Sequence, residues 1–292
     1  MSDARAVPGA PPVTAQRAAS RPSRLGYFLQ RNPRVLLGGS VVVALLVIAL
    51  IAPWIVPYDP IDVDPIQGLE APGLKHWLGT DDLGRDVLSR VVMGSRVSLS
   101  VGLISVSIGL AAGYLSGAVD LLAMRVIDAL LAFPALLLAI SITAALGPQI
   151  WNSMIAIGVV AIPAYARLTR AQVLSVRERE YVMATRAVGA TSWRIVTRHI
   201  LPNISNSLVV QASLSTAFAI LAEASLSFLG LGAQPPTPSW GQDINYSQRY
   251  LTNMLWWMSA GPGIAIFLAV LSFNFLGDAL RDALDPHLRR RA

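Results

Sequence analysis

Six stretches of this chain are apolar for longer than a soluble core element requires. They lie near Val35 to Val56, Val97 to Val119, Ala123 to Leu146, Ile150 to Leu174, Ile204 to Leu229 and Leu255 to Leu276. A helix crosses the hydrocarbon of a bilayer in about 20 residues, and each stretch meets that length. Lipid offers no hydrogen-bond partners, so backbone groups must be satisfied within the segment, which selects helices. The expected fold is all-α and integral to a membrane, with six transmembrane helices. Composition agrees: only 14% of residues are charged, against about 25% in soluble chains. Gly109, Gly113, Pro134 and Pro163 fall inside the stretches. Membrane helices tolerate them because neighbouring helices and Ser/Thr side chains restore lost hydrogen bonds.

Charge placement orients the spans. With both termini in the cytosol, 18 of the 23 Lys and Arg residues fall on the cytosolic side. The exceptions are Lys75, Arg85, Arg90, Arg96 and Arg249. The opposite orientation would invert the bias that fixes topology in the membrane. Residues 1–34, rich in Ala, Pro, Ser and Arg, read as a disordered basic cytosolic tail. Then come a first transmembrane helix at 35–57, an extracytoplasmic loop at 58–94, a transmembrane core at 95–282 and a basic cytosolic tail at 283–292. The first apolar run is too long and starts too late for a cleaved signal peptide, so it reads as an anchor. The net charge of +6 is dispersed along the chain, which fits topology and no nucleic-acid partner. Zero cysteines exclude disulfides, Cys-ligated zinc, iron–sulfur clusters and thiol catalysis.

Between the fourth and fifth spans lies a basic, helix-forming insert, Glu180 to Asn203. It cannot enter hydrocarbon and must emerge as a cytosolic platform. A helix is expected over Arg177 to Arg186, with a break at Gly189. Thr191 or Ser192 is placed to cap a second short helix reaching His199. Leu201-Pro202-Asn203 is expected to end that helix and turn the chain back into the membrane. Two readings compete: a loop held at lipid headgroups by its arginines, or a docking platform for a separate motor.

The residues then carry a resemblance. The insert is similar to the cytoplasmic coupling loop of bacterial ATP-binding cassette importer permeases. That pattern is Glu-Ala-Ala, three residues, Gly, nine residues, Ile, any residue, Leu-Pro. Here it reads Met183-Ala184-Thr185, Gly189, His199 and Leu201-Pro202. Met183 stands in place of the Glu and His199 in place of the Ile. LGTDDLGRDVLSR (78–90), RVIDALLAFPALLLAI (125–140), EASLSFLGLGAQPPTPSWG (223–241) and FNFLGDALRDALDP (273–286) resemble the C-type permeases of the dipeptide/oligopeptide/nickel branch. In that comparison the second crossing, Ser95 to Asp120, is about two helical turns short.

The resemblance implies a type I importer permease fold (MetI-like) in the bacterial inner membrane, with a coupling loop at 175–203. It implies half of a translocation pore in an ATP-driven importer of di- or oligopeptides. Nickel chelates or haem are the alternative cargo. The implied partners are a homologous B-type permease, two ATPase subunits, an extracytoplasmic binding protein and the bilayer. The chain lacks G-x-x-x-x-G-K-[ST], so it is not expected to hydrolyse ATP itself, and the resemblance implies a transport subunit and not an enzyme. It would bind no cofactor, with ATP and Mg held by the partners. ATPase coupling falls to Met183, Ala184, Arg186, Gly189, Ala190, Thr191, Ser192 and Trp193. Trp193 reads either as a knob in an ATPase groove or as an aromatic at the membrane interface.

Few charges sit within the spans. Glu223 is costly in hydrocarbon and must face the bundle or a wet cavity. It reads as a pore-lining residue or as a buried carboxyl hydrogen-bonded to a neighbouring helix. Asp128 has Arg125 three residues before it, a local pair. Asp278, Arg281, Asp282 and Asp285 suit an ion-paired inner end of the last helix. In the outer loops, Asp81, Asp82, Arg85 and Trp240 are candidates for docking the binding protein. Asp81 and Asp82 with His76 make a poor metal site, since adjacent carboxylates diverge, and solvated or helix-capping roles fit better.

Two other classes remain. An ion-coupled secondary transporter predicts paired intramembrane carboxylates across two halves, and only Glu223 qualifies. A membrane enzyme needs a nucleophile–base or metal cluster. The three histidines, at 76, 199 and 287, all lie outside the apolar blocks.

Overall fold

A computed structural model describes residues 33–118 and 121–284. The two tails expected at 1–34 and 283–292 fall outside the described residues, except for the two residues at each inner boundary, which are helical. The elements are α1 (Pro33–Ile55), α2 (Val87–Ala118), α3 (Leu121–Leu131), α4 (Ala135–Leu146), α5 (Ile150–Arg177) and α6 (Glu180–Ala187). They continue as α7 (Ser192–Ile195), α8 (Leu201–Phe228), α9 (Trp240–Ser247) and α10 (Trp257–Leu284). No strand forms among the described residues; Thr80 and Asp86 make one isolated bridge. Five spans are long and apolar enough to cross a membrane, and the bent pair α3–α4 supplies a sixth.

Three expected boundaries move. The second crossing belongs to a longer helix than the sequence suggested: α2 has 32 residues and begins at Val87, before Ser95, for a length of about 48 Å. It starts at Val87 because Asp86 caps it, accepting hydrogen bonds from the Ser89 N–H and hydroxyl, both at 2.7 Å. Its first turns carry Arg90 and read as loop in the sequence, but other outer segments bury them. The third crossing is broken. Helical segments Met124–Leu131 and Ala135–Leu146 meet at 100°, because Pro134 lacks a donor and disfavours helix at Phe133. The third change is at Pro202, which does not end a helix. Val196–Ile200 forms a π turn in which the Leu201 N–H bonds to the Val196 carbonyl. The ladder widens there and runs on into α8.

α2 packs most extensively on α5, and α10 packs on α8 and α1. Small residues permit the close crossings expected between membrane helices. A Cβ on Gly109 would come within 2.8 Å of Ala161, and one on Gly158 within 2.9 Å of Ile108. Val101, Met154, Ile157, Ala219 and Leu226 fill the middle of the bundle.

Candidate coupling surface and outer cap

The platform between α5 and α8 is anchored by apolar side chains. Val182 from α6, Ile195 from α7 and Ile200 from the π turn are buried in a cluster with Val106, Tyr165, Val176, Ile204 and Leu208. Around these anchors the chain turns at Gly189, whose φ of 83° lies in the left-handed region. Its N–H bonds to the Arg186 carbonyl at 3.0 Å. Thr191 caps α7, accepting from the Arg194 N–H at 3.4 Å. The opposite face stays exposed. Met183 is 50% exposed, Val188 83% and Trp193 77%. Ala184, Arg186, Gly189, Thr191 and Ser192 are exposed with them, and Ala190 is half-buried. Of the eight expected coupling residues, seven thus lie on the platform's exposed surface, and Ala190 packs partly against the buried cluster. Val188 and Tyr181 join that surface, and sequence reasoning had not named them. The signal was present: both are large hydrophobic residues in a short polar insert, one on α6 and one at its C-terminal end.

Glu223 is fully buried on α8 and lines no open cavity. Its carboxylate accepts from Ser227 at 2.7 Å, one turn further on the same helix. It also accepts from Ser239, the residue before α9, at 3.0 Å, and from Ser98 on α2 at 3.1 Å. Ser227 in turn accepts from the Ala233 N–H at 3.1 Å. Of the two readings of this residue, the burial and the three hydroxyl donors fit the buried, hydrogen-bonded carboxyl. The carboxyl joins two transmembrane helices to the segment that enters α9.

The outer segments form a folded cap over the start of α2. Trp240 is buried, donates from Nε1 to the Val91 carbonyl at 2.8 Å, and lies over Gly94. Arg90 is 2% exposed. Its Nε donates to Asp243 Oδ1 at 2.9 Å, a second nitrogen reaches the same oxygen, and a third donates to the Pro60 carbonyl at 3.0 Å. Burial pushes the Asp243 carboxyl up from its usual range, and Arg90 opposes that shift. Asp81 accepts from Arg85 Nε at 2.6 Å and from the Leu83 and Arg85 N–H groups at 2.9 Å. His76 Nδ1 meets Asp86 at 2.9 Å. The Asp82 charge raises the Tyr250 phenol above its ordinary value.

Of the expected docking set, Asp81, Arg85 and Trp240 are buried within the cap, where their side chains bond to other outer residues. Asp82 alone of the four is partly exposed. Asp128 pairs with Arg167 on α5 at 2.7 Å, not with Arg125, and both partners are well exposed. No ion pair joins Asp278, Arg281 and Asp282 to one another or to another described residue; Asp285 lies outside the described residues. Among the described residues no three His, Asp or Glu side chains gather to hold a metal.

The chain matches the family model described as the inner membrane component of binding-protein-dependent transport systems over residues 105–290. Residues 28–72 match the N-terminal transmembrane domain of oligopeptide transport permease C. The dipeptide transport system permease protein DppC of Alkalihalophilus pseudofirmus is 42% identical, covering 97% of this chain and 95% of that one. The di/tripeptide transport system permease protein DppC of Pseudomonas aeruginosa is 46% identical, covering 93% and 95%. The glutathione transport system permease protein GsiD of Pectobacterium atrosepticum is 42% identical, covering 95% of each. Among solved structures, the inward-facing MetNI methionine ABC transporter gives a TM-score of 0.54 at 19% identity, covering 67% of this chain and 96% of that one. That likeness bears on the fold alone. By its family match and its near full-length relatives, this chain belongs to the inner membrane components of binding-protein-dependent transport systems.

Proposed function

We propose that this chain is the C-type permease half of an ATP-driven importer of short peptides. A homologous B-type permease completes the pore. Two ATPase subunits grip the cytosolic platforms of the two permeases, and an extracytoplasmic binding protein delivers cargo to the outer cap. ATP and Mg belong to the ATPase subunits, and the permease contributes no catalytic group. The observation that carries the reading is the exposed apolar surface of Met183, Val188 and Trp193, backed by buried Val182 and Ile195. A loop that only rests on headgroups needs no such backing, whereas a contact that receives force needs both an apolar face and a rigid support. The peptide assignment is supported by relatives named for dipeptide, di/tripeptide and glutathione transport. Nickel-chelate or haem cargo stands as the second reading within the same branch.

The mechanism follows from the linkage. Closure of the ATPase subunits displaces α6 and α7 as one body. α7 continues through the π turn into α8, so the displacement reaches the membrane without an intervening loop. Two packings of the helices, open to opposite sides, are then exchanged by an imposed motion. The experiment is peptide-stimulated ATP hydrolysis by the co-purified complex, compared with Gly189→Pro. Proline holds φ near −65° and removes the donor bonded to Arg186. At least a tenfold drop in stimulated turnover (~1.4 kcal/mol) is expected in an assembled complex. An unaltered rate would remove the platform from the mechanism.

A further inference from the structure

One cation on the outer side of the bundle has no role in the platform or the cap. Arg96 lies six residues along α2 from Arg90, about 9 Å deeper, and is exposed. Among the described residues it makes no ion pair. It is the one charged residue lining a mostly apolar groove of about 420 Å³ between α1, α2, α8 and α10, walled by Leu46, Leu50, Leu103 and Phe273 with the hydroxyls of Ser100 and Thr216. That volume is in the range of small-molecule sites, about 300–1,000 Å³.

We propose that this groove binds one membrane phospholipid, with its phosphate on the Arg96 guanidinium and an acyl chain along Leu46, Leu50 and Leu103. The groove opens on the perimeter of the bundle. Its α1 wall belongs to the least enclosed span, 17% buried against 44% for α2 and α5. Leu50 and Leu103 are 71% and 70% exposed there, which places acyl chains against them in a bilayer. Leu46 and Leu50 precede the outer end of α1 by nine and five residues, about 14 and 8 Å. These depths run from the middle of the outer-leaflet chains almost to the midplane, about 15 Å down. An unpaired guanidinium is costly at such depths. Its flexible stem lets it reach outward to a phosphate, which it engages with two parallel hydrogen bonds. The mostly apolar walls and the single charge match an amphipathic anion, and the α1 wall, the least enclosed span, favours a lipid over a solute in transit.

The test is native mass spectrometry of the full-length chain, delipidated in detergent and titrated with dioleoyl phosphatidylglycerol. Wild type is expected to hold one phosphatidylglycerol. Arg96→Gln weakens that adduct about fivefold, the effect of losing roughly 1 kcal/mol of cation–headgroup attraction. Arg96→Lys retains most of it, and Arg249→Gln changes nothing. Leu50→Trp, which fills the groove and leaves the charge, also weakens the adduct and serves if the Arg96 variants fail to fold. Dioleoylglycerol, which lacks phosphate, is expected not to bind. Equal retention by wild type and Arg96→Gln, or by wild type and Leu50→Trp where the Arg96 variants do not fold, overturns the site. Equal binding of dioleoylglycerol overturns it, as does displacement of the lipid by a soluble dipeptide, which would transfer the groove to cargo.

Discussion

Arg90 on α2 and Asp243 on α9, 153 residues apart in sequence, meet as a buried ion pair that clamps the outer cap to the bundle. Removing one member leaves the other charged and buried. Asp243→Ala is expected to cost about 3–5 kcal/mol, whereas replacing both by apolar residues of similar volume costs far less. Thermal unfolding in detergent of the two single variants and the double variant checks this. Equal losses in all three would mean that the pair is solvated.

Glu223 is held by three hydroxyls, so its deletion and its conservative replacement should differ. Glu223→Ala leaves Ser98, Ser227 and Ser239 without their acceptor, at about 1–3 kcal/mol for each group left unpaired. Glu223→Gln keeps the shape and an acceptor oxygen, and its expected loss is under about 1.5 kcal/mol. Denaturation midpoints separate the two. Similar losses for both would argue for a charge-dependent role.

Gly189 occupies a left-handed φ with open space around the position a Cβ would take. Strain alone therefore sets the effect of substitution. Gly189→Ala should cost about 1–2 kcal/mol, and Gly189→Asn less, because Asn tolerates this region. Unfolding temperatures of the two variants test the order, and a reversal would place the cost in packing.

Trp193 is exposed, so Trp193→Ala is expected to leave the isolated chain within about 0.5 kcal/mol of wild-type stability. Retention of the ATPase subunits through affinity purification should fall, since aromatic anchors carry about 2 kcal/mol or more at such contacts. Full retention would assign Trp193 to the lipid surface.

Tyr250 donates to Asp82 at 3.3 Å, and the Asp82 charge holds its phenol pKa up. A raised folded value means that the neutral phenol is favoured. This contribution is complete below the unfolded pKa of about 10 and is lost as pH rises through the folded value. Ultraviolet titration of tyrosinate is expected to show one group titrating late in wild type and earlier in Asp82→Asn.

The spans at α1, α5, α8 and α10 were legible because length and apolarity suffice to place a helix in lipid. The Gly189 turn and the Thr191 cap were legible because their chemistry is local. What failed was non-local. Arg90 reads as a loop charge until Asp243, far along the chain, is folded over it. Ser98 and Ser239 carry no mark of Glu223, since serine is common in membrane helices. Asp128 has an arginine three residues away, yet tertiary packing presents Arg167 from another helix. Pro134 is tolerated inside many membrane helices, and only the surrounding packing decides whether such a residue bends the chain by 100°.

The continuous run from Ser192 to Phe228 has a geometric consequence. Its 37 residues make a shaft about 55 Å long, with the Trp193 surface at one tip and the serine-bound carboxylate near the other. A pivot of 5° at the inner tip swings the outer tip by about 5 Å over that length. Ser239 and Ser98 are tied to that far tip, so the outer cap must either travel with the shaft or let go of Glu223. Which of the two happens decides whether the external mouth opens as one piece or by parting along the α8–α9 seam.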